Sequence, residues 1–145
     1  MVRSCALAVI VVVLAVGVVG SAGDADFKVI VNAATSADSI TKNDVSKMFL
    51  KKTRSWPSGQ AIIPVDQAPD SPVRESFSQE IHGRKVSSIK SYWQRQIFSG
   101  KAVPPVEYKS EVNVITFVAG NPGAIGYVAG STQLDSRVKV LEIRD

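Results

Sequence analysis

Asp66, Asp70, Ser71 and Arg74 place two carboxylates, a hydroxyl and a guanidinium around one helix start. Ser71 is a good N-cap, and Pro72 suits the first helical position, where a missing N–H costs nothing. Such a start aims backbone N–H groups and the positive end of the helix dipole outward, which suits an anion. The same Ser-Pro pair also serves as a plain cap, contributing about 1 kcal/mol to stability with no ligand present. Asp66 and Asp70 could orient a cation or a donor-rich ligand, or act only as partners of the dipole. Arg74 falls in the first turn, where the dipole disfavours a cation, and that placement hints at a partner.

Lys51, Lys52 and Arg54 beside Trp56 form a second group with chemical potential. Charge and stacking could hold a phosphate backbone there. In an exported chain, however, nucleic acid is not the expected ligand. A solvated helix end accounts for the cations, two of which complement the C-terminal dipole. Trp56 and Trp93 are expected as core or lid aromatics. His82, the sole histidine, follows a core position at a helix end and is expected to meet terminal carbonyls. With no second soft ligand, no metal site is expected. One histidine, no cysteine outside position 5 and no Gly-x-Ser-x-Gly elbow leave no nucleophile–base pair. No catalytic residue and no cofactor are therefore assigned.

These groups depend on residues 41–77, which read as helix, basic-aromatic turn, short buried strand, loop and second helix. TKND (residues 41–44) is a capping-box-like start, and Val45, Met48 and Phe49 fall on one helical stripe. Pro57-Ser58-Gly59 turns the chain into a strand over residues 61–65, AIIPV, which leads through a short loop to Ser71. Val73, Phe77 and Ile81 line the second helix until Gly83 stops it. A third helix spans residues 86–99, with Ile89, Trp93 and Ile97 inward and Gly100 as its stop. Residues 101–106 are an extended connection. Ser110 caps a fourth helix carrying Val114, Ile115 and Val118, closed by Gly120. Further strands are expected at 27–31, 124–128 and 137–143. The order strand, helix, strand over residues 27–65 predicts a parallel pair with a right-handed crossover. The result is an α/β domain with a small mixed sheet flanked by about four helices.

Residues 1–23 read as a signal peptide and residues 24–145 as the folded domain. Arg3 is a short basic start, an apolar run follows, and small residues close it at Gly20, Ser21, Ala22 and Gly23. Cleavage is expected near Ala22 or as late as Ala25. An uncleaved anchor is the alternative, but the apolar run is shorter than the roughly 20 residues of a spanning helix. The mature chain is expected in the periplasm, without stable membrane insertion. Seventeen Lys and Arg face thirteen Asp and Glu, a mild basic excess dispersed along the chain. Cys5 lies inside the signal, so the mature domain has no disulfide and no thiolate nucleophile or ligand. Export without cysteines fits a bacterial periplasm.

Three blocks carry a family resemblance. DVSKMFLKKTRSWPSG (44–59) resembles the segment of periplasmic phosphate-binding proteins where a helix ends in a Phe-x-Gly-Lys run before a Trp. NPGAIGYV (121–128) is similar to their Pro-Gly-Ala-Ile-Gly-Tyr strand. PVDQAPDSPVRESF (64–77) aligns without a gap on their phosphate loop and the helix after it. The resemblance spans essentially the whole mature chain but only one lobe of a two-lobed architecture. It implies a single lobe of the type II periplasmic binding protein class, with phosphate or another oxyanion as ligand and an ABC transporter as the system served.

The departures matter as much. The family's loop runs Arg, Ser, Asp, Gly, Ser, Gly, Thr, where this chain has Gln67, Ala68, Pro69, Asp70, Ser71, Pro72 and Val73. Gln67 replaces an arginine that would pair with an oxyanion bidentately. Pro69 replaces an aspartate that would accept the proton of hydrogen phosphate, and Pro72 removes a backbone donor. Arg74, one residue beyond, offers partial compensation. The resemblance thus implies Ser71, Arg74, Gln67, Asp66, Asp70 and Val73 as candidate ligand-binding residues. One lobe offers half a cleft, which a homodimer or a transporter permease is expected to complete. The expected function is non-catalytic solute binding. The alternative is a lobe that has lost its ligand and serves as an interaction or regulatory module.

Overall fold

The computed structural model describes residues 26–145, so the expected signal peptide and its cleavage site lie outside the described residues. In chain order the elements are β1 (Phe27–Asn32), β2 (Ser39–Thr41), α1 (Lys42–Phe49), β3 (Ile63–Gln67) and α2 (Pro72–Phe77). A π-helical turn, Ser78–His82, continues α2. Then come α3 (Val86–Phe98), β4 (Val106–Tyr108), α4 (Glu111–Gly120), β5 (Ala124–Ala129), β6 (Val138–Val140) and β7 (Glu142–Arg144).

Strand alternation divides the core into two layers. Along β1, Val29 and Val31 face one layer and Ile30 the other. Along β5, Ile125 and Tyr127 join the first layer, while Ala124 and Val128 join the second. Helices α1 and α2 close the first layer with Val45, Phe49 and Phe77, and the Phe77 ring stacks on Tyr127 at 3.9 Å between centroids. Burying each of these large side chains contributes on the order of 1.5–3 kcal/mol. Helix α4 closes the second layer with Val114, Ile115 and Val118. Its close approach requires Gly126, where a Cβ would lie 2.8 Å from Val65 and 3.0 Å from Val114. The last turn of α4 is tied to β1 by Asn32, whose Nδ2 donates to the Val118 carbonyl at 2.9 Å.

The five-stranded sheet has the order β4-β3-β5-β1-β6, and β2 pairs with β7 in a separate parallel ribbon. This corrects the expected parallel pairing of the first strand with the strand after α1. Strand β5 sits between β1 and β3, antiparallel to the first and parallel to the second. β5 is buried along nearly its whole length, so it takes the central position that consecutive strands would otherwise share.

The Thr41 and Ser71 caps form where expected, whereas Ser110 stands at the N-cap position of α4 without a side-chain hydrogen bond. Thr41 Oγ1 accepts from the Asp44 N–H at 3.1 Å and donates to the Asp44 carboxylate at 2.9 Å. Ser71 caps α2 with Pro72 next, and Gly83 and Gly100 end their helices in the left-handed region. Several boundaries differ. The strand expected at 61–65 runs two residues later, and the connection expected at 101–106 leads directly into β4. The last strand is two, because Leu141 is buried and donates its N–H to the Val29 carbonyl, separating β6 from β7. Ile97 is not on the buried stripe of α3; only Ile89 and Trp93 are.

Candidate functional site

Asp66 and Gln67 are the last two residues of β3, where the strand delivers the chain to the loop before α2. Parallel pairing places Asp66 opposite Glu107 and Gln67 opposite Tyr108. Two carboxylates side by side would repel. The Arg74 guanidinium resolves this by reaching down from the first turn of α2, with Nη2 3.4 Å from Asp66 and Nη1 3.1 Å from Glu107. Nη1 also donates to the Gln67 carbonyl at 2.7 Å. Arg74 is 3% exposed, which removes it from solvent altogether.

The polar atoms around this ion pair are committed to one another. Gln67 Nε2 donates to the Tyr127 carbonyl at 2.9 Å, and Gln67 Oε1 accepts from the Ser71 hydroxyl at 2.6 Å. Ser71 Oγ accepts from the Arg74 N–H at 3.3 Å. The Tyr127 hydroxyl donates to Asp66 Oδ1, which also accepts from the Gln67 N–H at 3.0 Å. Burial pushes the Asp66 carboxyl above its ordinary range, opposed by Arg74, by the Tyr127 hydrogen bond and by the Gln67 amide. Burial, with the Asp66 charge beside it, raises the Tyr127 phenol well above its usual value. One cation faces two carboxylates here, so the cluster does not present a net positive charge to an anion.

Of the candidate residues, the fold brings together Asp66, Gln67, Ser71 and Arg74. Asp70 stays exposed at the loop, and Val73 packs against the first core layer. The partner that Arg74 needed is internal. Spacing gave no warning of Tyr127 and Glu107. Tyr127 could have been noticed as the one polar tip on the inward positions of AIGYV, whereas Glu107 carried no signal because β4 was not foreseen.

His82 and the two tryptophans are structural. His82 does not bond terminal carbonyls as expected; its Nδ1 lies 2.8 Å from Ser46 Oγ, with the ring edge-on to Phe77. Burial, helped by Arg84, Arg74 and Lys52, pushes its imidazole down to about 4. Trp56 and Trp93 are both core residues, and Trp56 Nε1 donates to the Gly123 carbonyl at 2.9 Å. Among the described residues, no group of three or more His, Cys, Asp or Glu could hold a metal ion.

No family model and no curated protein matches the chain. Solved structures do. A protein assigned as a phosphate ABC transporter substrate-binding protein from Clostridium perfringens, solved with bound phosphate, superposes with a TM-score of 0.65 at 19% identity. The match covers 81% of this chain and 44% of that one. The fold is that of one lobe of a type II periplasmic binding protein. An ABC-type phosphate transport receptor from Vibrio cholerae superposes on the lobe with a TM-score of 0.64 at 20% identity, over 81% of this chain and 46% of that one. A possible phosphate binding protein from Planctomyces limnophilus gives 0.60 at 18% identity, over 83% and 42%. The lobe therefore spans less than half the length of each of these proteins.

Proposed function

We propose that the chain is an exported, non-catalytic solute-recognition lobe that serves phosphate or oxyanion uptake alongside an ABC transporter. The observation that carries this reading is the place of the loop between β3 and α2. It leaves the C-terminal ends of parallel strands and enters a serine-capped helix, the position where α/β folds take ligands. The likeness to proteins described as phosphate-binding, one with phosphate bound, supports the choice of ligand. In this reading the lobe supplies Ser71 and the surrounding backbone. A second body, either a homodimer partner or the permease, supplies the positive charge that the neutralised Arg74 does not.

A second reading is favoured by one specific observation. Gln67, Ser71 and Arg74 already bond to one another and to Asp66, Glu107 and Tyr127. A lobe in this state that takes no ligand would serve as an interaction or regulatory module.

Calorimetric titration of the purified chain with phosphate, sulfate and molybdate separates the two. Weak binding, near a dissociation constant of about 1 mM, that Ser71→Ala reduces further is the outcome expected of the first reading. Submicromolar phosphate binding by the chain alone would show that the site needs no second body. No heat with any of the three anions would leave the interaction module.

A further inference from the structure

Helix α3 buries Ile89 and Trp93, yet its far end is open: Ile97 is 53% exposed, Phe98 96% and, beyond the Gly100 turn, Val103 64%. Contiguous apolar groups so exposed on a small domain mark a contact surface. These are contiguous, because Ile97 lines two adjoining hollows. One holds Phe98 and Arg95; the other holds Val103, Lys51, Arg54 and Lys101. Neither hollow has a carboxylate on its wall. The chain repeats the bias, with no Asp or Glu between Glu80 and Glu107. Cations that lie scattered along the sequence are gathered by the fold around an apolar tip.

Charge complementarity calls for an acidic occupant. The shape narrows the choice further. Phe98 is almost wholly exposed at the end of its helix, and the chain turns back at Gly100 with φ of 66°. A protruding aromatic tip enters a fluid surface readily, whereas a protein face would need a pocket shaped to receive it. Lys and Arg around such a tip can lay their stems along apolar surface and keep their charges at headgroup level. We propose that the α3 tip docks on an anionic phospholipid bilayer, holding the domain peripherally. No helix among the described residues is long and apolar enough to cross a membrane, so the contact is interfacial. This inference does not depend on which small ligand, if any, the loop before α2 takes.

Co-sedimentation with large unilamellar vesicles tests it, comparing phosphatidylcholine alone with phosphatidylcholine containing phosphatidylglycerol. The chain without residues 1–25, which retains every described element, is used throughout, so the apolar N-terminal segment contributes no binding of its own. The wild type should bind the phosphatidylglycerol vesicles more tightly, and rising salt should weaken that binding. Arg95→Gln and Lys101→Gln should each lower it about fivefold, and Phe98→Ser should lower it by a similar factor. All three positions are exposed, so circular dichroism should show unchanged folding. Equal binding to both vesicle types overturns the proposal and leaves an acidic protein face as the occupant. Variants that bind like the wild type overturn it as well.

Discussion

Asp66 and Glu107 stand side by side in the parallel register of β3 and β4, and the Arg74 guanidinium lies 3.4 Å from one and 3.1 Å from the other. A repulsive pair across two strands becomes a three-way tie between the sheet and α2. This explains a cation held in a first helical turn, where the dipole opposes it. The same tie keeps the guanidinium from meeting an external anion.

Charge reversal at Arg74 looks mild from the sequence, since an acidic residue in a first turn favours the dipole. The buried tie predicts the opposite. Arg74→Glu and Arg74→Ala should each cost on the order of 3–5 kcal/mol, because Asp66 is left buried without its partner. Glu107→Gln, at a half-exposed position, should cost about 1 kcal/mol or less. Urea denaturation with an unchanged m-value measures both. An Arg74→Glu variant as stable as the wild type would show that the tie contributes nothing.

Restoring the arginine of the resembled loop should fail for a related reason. Gln67 is buried, donates to the Tyr127 carbonyl at 2.9 Å and accepts from Ser71 at 2.6 Å, so Gln67→Arg should destabilise the domain before it helps an anion. Pro72 is exposed, and Pro72→Gly should return one backbone donor at the helix start. That donor is expected to raise phosphate affinity about tenfold at most. Calorimetry and thermal melts on the two variants check the contrast. Tighter phosphate binding in Gln67→Arg with unchanged stability would refute it.

His82 makes stability depend on pH in a definite direction. Its folded value is about 4, below the ordinary 6.5, with burial as the main cause. The unfolded chain therefore takes up a proton first as pH falls. Stability should be full above pH 6.5 and decline between about 6.5 and 4, by up to about 3 kcal/mol. In His82→Gln this part of the slope should vanish, and comparing the two proteins cancels the opposing contribution of Asp66. Identical pH profiles would show that the imidazole titrates normally in the fold.

Two glycines should resist substitution for different reasons. Gly126→Ala inserts a methyl 2.8 Å from Val65 and 3.0 Å from Val114, overpacking that should cost about 1–3 kcal/mol. Gly123 has φ of 89°, and a Cβ there would run into the Ala61 carbonyl oxygen, so Gly123→Ala adds backbone strain to a clash. Its melting temperature should fall further than that of Gly126→Ala. The reverse order would mean that the turn relaxes more easily than the packing of α4 on the sheet.

The short apolar run ending in small residues predicts removal of the N-terminal segment on export. Mass spectrometry of the released protein should find a new start between Ser21 and Asp26. Full-length chain retaining Met1 in the membrane fraction would exclude this.

Features that depend on residues within a turn of one another were legible in the sequence. The Thr41–Asp44 cap, the Ser71-Pro72 start, the stops at Gly83 and Gly100, and the inward stripe of α1 each rest on local hydrogen bonds or local φ preferences. Other features waited on the tertiary structure because they depend on which strands become neighbours. Strand β5 separates β1 from β3, the short β4 exists only by pairing with β3, and Leu141 breaks the last segment to reach the core. The candidate site follows the same division. That Ser71 caps a helix is a local fact, and the sequence contains it. That Arg74 is spent on Asp66 and Glu107 follows from sheet register, and no spacing along the chain encodes it. The cations around Ile97 were likewise gathered by folding, since charge density is a property of a surface and not of a chain.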